Sequence, residues 1–168
     1  LFLSVTAFNL VVQMLHSYGP NVAAAVTITF NWDIVAFIPM LGFNVATMSL
    51  VGRHMGAGDP ARAERAAYSG MKAAYCYGGI MALLFVSVPQ LLASVFAPQV
   101  EGVDYSQVLP LAHRMIRMAA LYTLADATFL VFGGALRGAG DTKWLMRAII
   151  LLHWTMAVSL YLAIRVFA

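Results

Sequence analysis

The chain has 168 residues, of which 62% are hydrophobic and 10% are charged, and its mean hydropathy is +0.82. An ordinary soluble domain carries about 25% charged residues, so this composition argues against a soluble fold. The net charge of +3 comes from few, scattered side chains, which argues against nucleic acid as a partner. The single cysteine excludes an internal disulfide framework.

A helix needs roughly 20 apolar residues to cross a bilayer, whereas the strands of a membrane β-barrel alternate over about ten residues. The apolar stretches of this chain are continuous, so the sequence predicts an all-α fold, a polytopic helical membrane bundle with five transmembrane helices. Their predicted ranges are 1–18, 22–54, 60–96, 106–136 and 142–167. Pro39 and Pro89 are expected to kink the second and third helices.

The loops after the second and fourth helices resemble each other: Gly56-Ala57-Gly58-Asp59 and Gly138-Ala139-Gly140-Asp141. In each loop, glycines can end one helix and the acid can cap the next. Each loop is also preceded by a Gly-x-x-x-Gly spacing, from Gly52 and from Gly134, which would allow helix backbones to approach closely. A simple turn explains these glycines equally well.

Basic side chains are concentrated around the same two loops, whereas the turn at Gly19-Pro20-Asn21 has no charge. The positive-inside rule therefore predicts that loops 55–59 and 137–142 are cytoplasmic. The basic residues that carry this prediction are Arg53, Arg62, Arg65, Lys72, Arg137, Lys143 and Arg147.

Two acids fall within the predicted spans. Asp126 lies eleven residues before Arg137, which places it about 16 Å from the cytoplasmic end, near the middle of the membrane. Acids at this depth are usually functional, although a carboxyl group hydrogen-bonded to neighbouring helices is the structural alternative. Tyr122, one turn earlier on the same face, could donate a hydrogen bond to it.

The second acid, Asp33, lies nineteen residues before Gly52, or about 28 Å, which predicts a hydrated position near the outer edge of the membrane. A substrate or proton role is less strongly indicated there, because interfacial acids cost less than central ones. Asn31 could bind a cation through its amide oxygen or bond to a neighbouring helix. The four histidines are too dispersed for a metal site, and no cofactor is expected.

Two segments carry a resemblance to a known family. Residues 51–59 read Val-Gly-Arg-His-Met-Gly-Ala-Gly-Asp, and residues 135–142 read Ala-Leu-Arg-Gly-Ala-Gly-Asp-Thr. With the loops and acids placed as above, the chain resembles the multidrug and toxic compound extrusion (MATE) transporters over nearly all of its length. That resemblance implies a protein of twelve helices in two lobes. Residues 1–168 would form helices seven to eleven of the C-terminal lobe, partnered by an N-terminal lobe and a last helix.

The resemblance also implies a coupling site. Asp126 matches an acid of helix ten that the sodium-coupled branch uses to bind its cation, Tyr122 matches an aromatic residue one turn before it, and Asn31 matches an asparagine of helix eight. Where that branch has a glutamate in helix seven, this chain has Ser4. Loss of that carboxylate weakens a sodium site. Coupling to Na⁺ and coupling to H⁺ therefore both remain open.

The leading hypothesis is a cation-coupled antiporter of the inner or plasma membrane. It would export cationic, amphipathic compounds by alternating access. The alternatives are a related lipid or polysaccharide flippase and a non-transporting membrane scaffold. An intramembrane enzyme is disfavoured, because the sequence shows no nucleophile with a base.

Overall fold

The computed structural model describes residues 6, 9–10, 12–14, 17–96 and 105–167. Within these ranges there is no strand, and three helices are long and apolar enough to cross a membrane. The predicted all-α membrane bundle is therefore confirmed. Most of the predicted first helix, including Ser4, lies outside the described residues. The helices with defined bounds are α1 (Pro20–Gly56), α2 (Pro60–Ser87), α3 (Pro89–Val95), α4 (Tyr105–Gly138) and α5 (Thr142–Phe167).

The two Gly-Ala-Gly-Asp loops have the same local structure. Gly58 and Gly140 have positive φ angles of 73° and 89°, a conformation that glycine adopts without a Cβ clash. In each loop the acid that follows then caps the next helix: Asp59 accepts a hydrogen bond from the Arg62 amide at 3.0 Å, and Asp141 from the Trp144 amide at 3.4 Å. The glycine ends and acidic caps expected from the sequence are thus present in both loops.

Helices α1 and α4 run parallel. The Asn21 side chain donates to that of Gln107 at 3.2 Å near one end, and the Asn44 amide donates to the Leu130 carbonyl at 2.6 Å further along. Both hydrogen-bonded pairs are separated by 86 positions, whereas the backbones meet at Asn44 and Gly134, which are 90 positions apart. This offset of 86 to 90 positions places the two glycine loops at the same end of the bundle.

The predicted close approach of helix backbones occurs at three of the four glycines. The α-carbon of Gly52 faces Gly138, and a Cβ on Gly134 would lie 2.5 Å from the Asn44 carbonyl oxygen. Gly56, by contrast, has no atom within 4 Å of its Cβ direction. Gly52, Gly134 and Gly138 therefore belong to the α1–α4 contact, whereas Gly56 belongs only to its turn.

The predicted third helix, 60–96, is wrong as a single element, because the chain forms two helices there. Val88 has φ −131° and ψ 42°, outside the helical region, and separates α2 from α3. Pro89 causes this break, since its ring disfavours a helical conformation of the residue before it. Pro39 does not interrupt α1, which continues for seventeen residues beyond it.

Helix α3 is held against α1 by one aromatic side chain. The Trp32 indole N–H donates to the Leu92 carbonyl at 2.6 Å, and its ring meets Phe96 edge-on with a centroid distance of 5.2 Å. Small and apolar side chains fill the space between α1, α2 and α4 nearby. The fully buried members of this core include Ala25, Ile28, Phe85, Val108, Ala112 and Ile116.

Candidate functional site

Helix α1 places Asp33 along its contact with α4. Ala36 and Met40, one and two turns later on the same face, are 3% and 2% exposed, and Thr29, one turn earlier, is also buried. Asp33 itself is half-buried. Its carboxylate therefore lies at the margin of the packed α1–α4 surface rather than in open solvent.

Helix α4 brings Tyr122 to this carboxylate. The offset of 86 to 90 positions puts Asp33 level with residues 119–123 of α4, so Tyr122 lies within about one helical turn of it. Tyr122 and Asp33 interact electrostatically.

Asp126 completes an acid cluster, by which we mean Asp33, Tyr122 and Asp126. It lies one turn after Tyr122 on the same face of α4 and is half-buried. It interacts electrostatically with both Asp33 and Tyr122. The two carboxylates belong to different helices that pack against each other.

The chemistry of the acid cluster favours a positive charge. Two carboxylates in a membrane-spanning bundle repel each other, and this repulsion is poorly screened where water is scarce. A bound proton or monovalent cation relieves it, and the phenolic oxygen of Tyr122 can serve as a further ligand. Among the residues that the structure describes, no three His, Cys, Asp or Glu side chains form a metal-binding group. The cluster offers carboxylate oxygens and one phenolic oxygen.

The comparisons with known proteins agree with the helical membrane architecture. The family model MatE matches residues 1–162. The chain belongs to the MatE family. Its similarity extends to "Probable multidrug resistance protein NorM" of Pasteurella multocida, which is 28% identical over 95% of this chain and 33% of that protein.

Two further relatives show the same extent of similarity. The protein of the same name from Mannheimia succiniciproducens is 28% identical over 93% of this chain and 32% of its own length. "Multidrug resistance protein PmpM" of Pseudomonas aeruginosa is 28% identical over 91% of this chain and 31% of its own length. The chain thus spans about one third of the curated relatives that it matches. No solved structure matches it significantly.

Within this MatE chain, the predicted site residues divide into three groups. Asp126 and Tyr122 are neighbours on α4, and Asp33 joins them. Asn31 lies two residues before Asp33, about 160° around α1, and none of the described hydrogen bonds or charge interactions connects it to the cluster. Ser4 lies outside the described residues.

Asp33 was expected to be a separate acid near the outer edge of the membrane, and the structure brings it close enough to Tyr122 and Asp126 to interact with both electrostatically. The two glycine loops indicate that α1 and α4 run parallel, but aligning the loops puts Asp33 level with Met115, about 10 Å from Tyr122. The offset that brings the acids together therefore comes only from the packing of the two helices.

Other buried polar side chains near the cluster are satisfied locally. Thr29 donates to the Ala25 carbonyl at 2.9 Å, and Thr123 donates to the Ala119 carbonyl at 2.8 Å. Among the described residues, no buried side-chain nitrogen or oxygen lacks a hydrogen-bond partner. The hydroxyl groups of both threonines donate within their own helices. The ionisable groups in this region are therefore those of the acid cluster.

A separate apolar cleft of about 740 Å³ lies between α4 and α5. Its wall is mostly apolar, and Asp141 of the second glycine loop also lines it; its large lining residues include Phe129, Phe132, Trp144, Leu145 and Leu152. None of the three acid-cluster residues lines it. The cleft and the acid cluster are therefore distinct features of this part of the chain.

Proposed function

We propose that the protein containing this chain is a cation-coupled antiporter that exports cationic, amphipathic compounds. Membership of the MatE family supports this proposal, as do relatives whose names describe multidrug resistance proteins. The activity belongs to the whole protein, of which this chain corresponds to about one third. The bilayer and small organic cations are its proposed partners, and an inner or plasma membrane is its proposed location.

The observation that carries the proposal is the acid cluster. Asp126 lies within a helix that can cross a membrane and interacts with a second carboxylate, Asp33, on the neighbouring helix. Asp126 binds the coupling ion, which is Na⁺ or H⁺, and Tyr122 supplies a neutral oxygen beside it. Asn31 is not included, because it lies about 160° around α1 from Asp33.

Exchange follows from linkage between ion and substrate. If occupation of Asp126 favours one facing state and substrate favours the other, the ion gradient drives substrate in the opposite direction. The change between facing states also involves the rest of the protein. By resemblance, the chain is helices seven to eleven of a C-terminal lobe that rocks against an N-terminal lobe and is completed by a last helix.

Dye efflux from cells that express the complete protein tests the role of Asp126. Asp126→Asn removes the charge with little change in shape, and we expect it to slow efflux at least tenfold at equal membrane abundance. Glu64→Gln is the matched control, because Glu64 is an exposed acid near the start of α2, outside the acid cluster. Wild-type, gradient-dependent efflux by Asp126→Asn would show that coupling does not use this carboxylate.

Reconstitution into vesicles separates this proposal from its alternatives. Movement of a cationic dye against an opposing Na⁺ or H⁺ gradient supports the antiporter. Movement of a labelled lipid or polysaccharide precursor without dye transport would replace it with the flippase. Absence of any gradient-dependent solute movement would replace it with the scaffold.

A further inference from the structure

The cleft between α4 and α5 runs from the second glycine loop into the apolar part of both helices. On α4 its lining residues extend from Leu136 back to Ala125, and on α5 they extend from Trp144 to Leu152. The eleven positions on α4 correspond to about 16 Å, which is about half of a hydrocarbon core of about 30 Å. The cleft therefore has the depth of one leaflet of a bilayer.

The cleft is also narrow. Its volume of about 740 Å³ over this length corresponds to a mean width of about 8 Å. A helix with its side chains is about 10–12 Å wide, whereas a hydrocarbon chain is about 4 Å wide, the contact distance between carbon atoms. Acyl chains therefore fit between α4 and α5, and a further helix fits only if the two helices move apart.

Opposite charges border the cleft at the end that carries the glycine loop. A Cβ on Gly133 would lie 3.5 Å from Nη2 of Arg137 and 3.6 Å from Cδ1 of Leu145, and Gly133 and Leu145 both line the cleft. Within the described part of the chain, no ion pair joins Arg137 to an acid. Asp141 also lines the cleft, and one of its carboxylate oxygens accepts from the Trp144 amide at 3.4 Å. An unpaired guanidinium and a carboxylate thus lie beside one apolar cleft.

We propose that this cleft binds a membrane phospholipid whose head group carries both a phosphate and a primary ammonium, namely phosphatidylethanolamine. The phosphate contacts Arg137, because a guanidinium binds phosphate through paired N–H donors. The ammonium donates to Asp141, and the acyl chains lie against the apolar wall. Lipid binding does not require the antiport activity proposed above, and it is measured without transport.

Photo-crosslinking of the complete protein locates the lipid. The protein is reconstituted in phosphatidylcholine vesicles that contain a little phosphatidylethanolamine with a diazirine on one acyl chain, and labelled peptides are identified by mass spectrometry. We expect Phe129, Phe132 and Leu152 to be labelled several times more than Ile80 and Leu83, exposed side chains of α2 outside the cleft. Equal labelling would mean ordinary contact with the bilayer, and absence of label from the cleft would mean that another helix covers it. Either result would overturn the proposal.

Substitutions of the charged residues test the recognition of the head group, with binding measured by native mass spectrometry of the complete protein during lipid titration. Arg137→Gln should weaken phosphatidylethanolamine binding about tenfold, the scale of one hydrogen bond to a charged group. Asp141→Asn keeps an acceptor for the helix cap but should lose the preference for phosphatidylethanolamine over phosphatidylglycerol. Lys143→Gln is the matched control, because Lys143 lies about 160° around α5 from Leu145. Equal weakening by Lys143→Gln, or an unchanged preference in Asp141→Asn, would contradict the assigned contacts.

Filling the cleft gives a test that leaves both charges in place, and it applies even if Arg137→Gln does not fold. Ala148 lines the cleft, and Ala148→Phe adds a ring where the acyl chains would lie. A ligand that binds the folded state raises the midpoint of thermal unfolding. Added phosphatidylethanolamine should therefore stabilise the wild type and Lys143→Gln, but not Ala148→Phe. The same rise in all three proteins would place the lipid elsewhere.

Discussion

Gly134 packs against the backbone of Asn44 so closely that a Cβ on Gly134 would lie 2.5 Å from the Asn44 carbonyl oxygen. The Asn44 carbonyl group could move away from an added Cβ only if the whole helix moved. The neighbouring Asn44 side chain bonds to the Leu130 carbonyl across the same contact. Helices α1 and α4, which carry the acid cluster, are therefore held in one register by close backbone packing and an interhelical hydrogen bond.

Gly134→Ala is expected to destabilise the protein by about 1–3 kcal/mol, because overpacking at a rigid contact forces the helices apart. The matched control is Gly42→Ala on α1, where no atom lies within 4 Å of the Cβ direction. Alanine there should be neutral or slightly stabilising, since it favours helix over glycine. Thermal unfolding of the purified protein in detergent measures both. Equal melting temperatures for the two variants would contradict the close contact.

Asn44→Ala should cost about 1 kcal/mol through loss of the 2.6 Å hydrogen bond between α1 and α4. Thr123→Val provides the comparison, because Thr123 is equally buried but donates only to the Ala119 carbonyl of its own helix. That carbonyl keeps its backbone bond, so we expect a smaller loss of stability. Thermal unfolding ranks the two variants. A larger loss for Thr123→Val would count against the interhelical bond as the stronger contribution.

Trp32→Phe should weaken the docking of α3 on α1. Phenylalanine can still pack against Phe96 but cannot donate to the Leu92 carbonyl, and loss of that bond should cost about 1 kcal/mol. Trp154→Phe on α5 is the control, because Trp154 is 38% exposed and has no described hydrogen bond. Detergent thermal unfolding should show a lower midpoint for Trp32→Phe only. A matching decrease in Trp154→Phe would indicate a general effect of losing an indole ring.

The sequence was sufficient for the architecture wherever local chemistry decides the structure. Glycine at positive φ and a capping acid determine the structure of loops 56–59 and 138–141, and both residue types can be recognised in the sequence. At Val88 the sequence predicted a kink from Pro89 but not the full break that divides the helix. Pro39 shows why, since the same residue type lies inside a helix that continues. Local sequence does not reveal which proline the surrounding helices accommodate.

The acid cluster shows a different limit. Asp126 and Tyr122 were predicted to interact because they are one turn apart on a single helix, and in the structure they interact through charge. Asp33 was assigned to a separate region, because Tyr122 lies 89 positions away in the chain. The two residues meet only because α1 packs against α4. Proximity across helices depends on which faces pack, and the sequence contains no direct measure of that.

The orientation of the bundle can be tested by labelling introduced cysteines in a cysteine-free background. Ala57→Cys and Ala139→Cys lie in the two glycine loops, and we expect an impermeant maleimide to label both from the cytoplasmic side only. Tyr18→Cys, in the uncharged turn at the other end of α1, should be labelled only from outside. Its side chain is 55% exposed. Labelling of the two loop positions from opposite sides would contradict the parallel arrangement of α1 and α4.

The central claim is that ion binding at Asp126 drives substrate export, and counter-transport in proteoliposomes tests it most directly. An imposed Na⁺ or H⁺ gradient should drive accumulation of a cationic dye by the wild-type protein, and an ionophore that dissipates the gradient should stop it. Asp126→Asn should bind the dye but fail to accumulate it. Equal gradient-driven accumulation by Asp126→Asn and the wild type would contradict the claim.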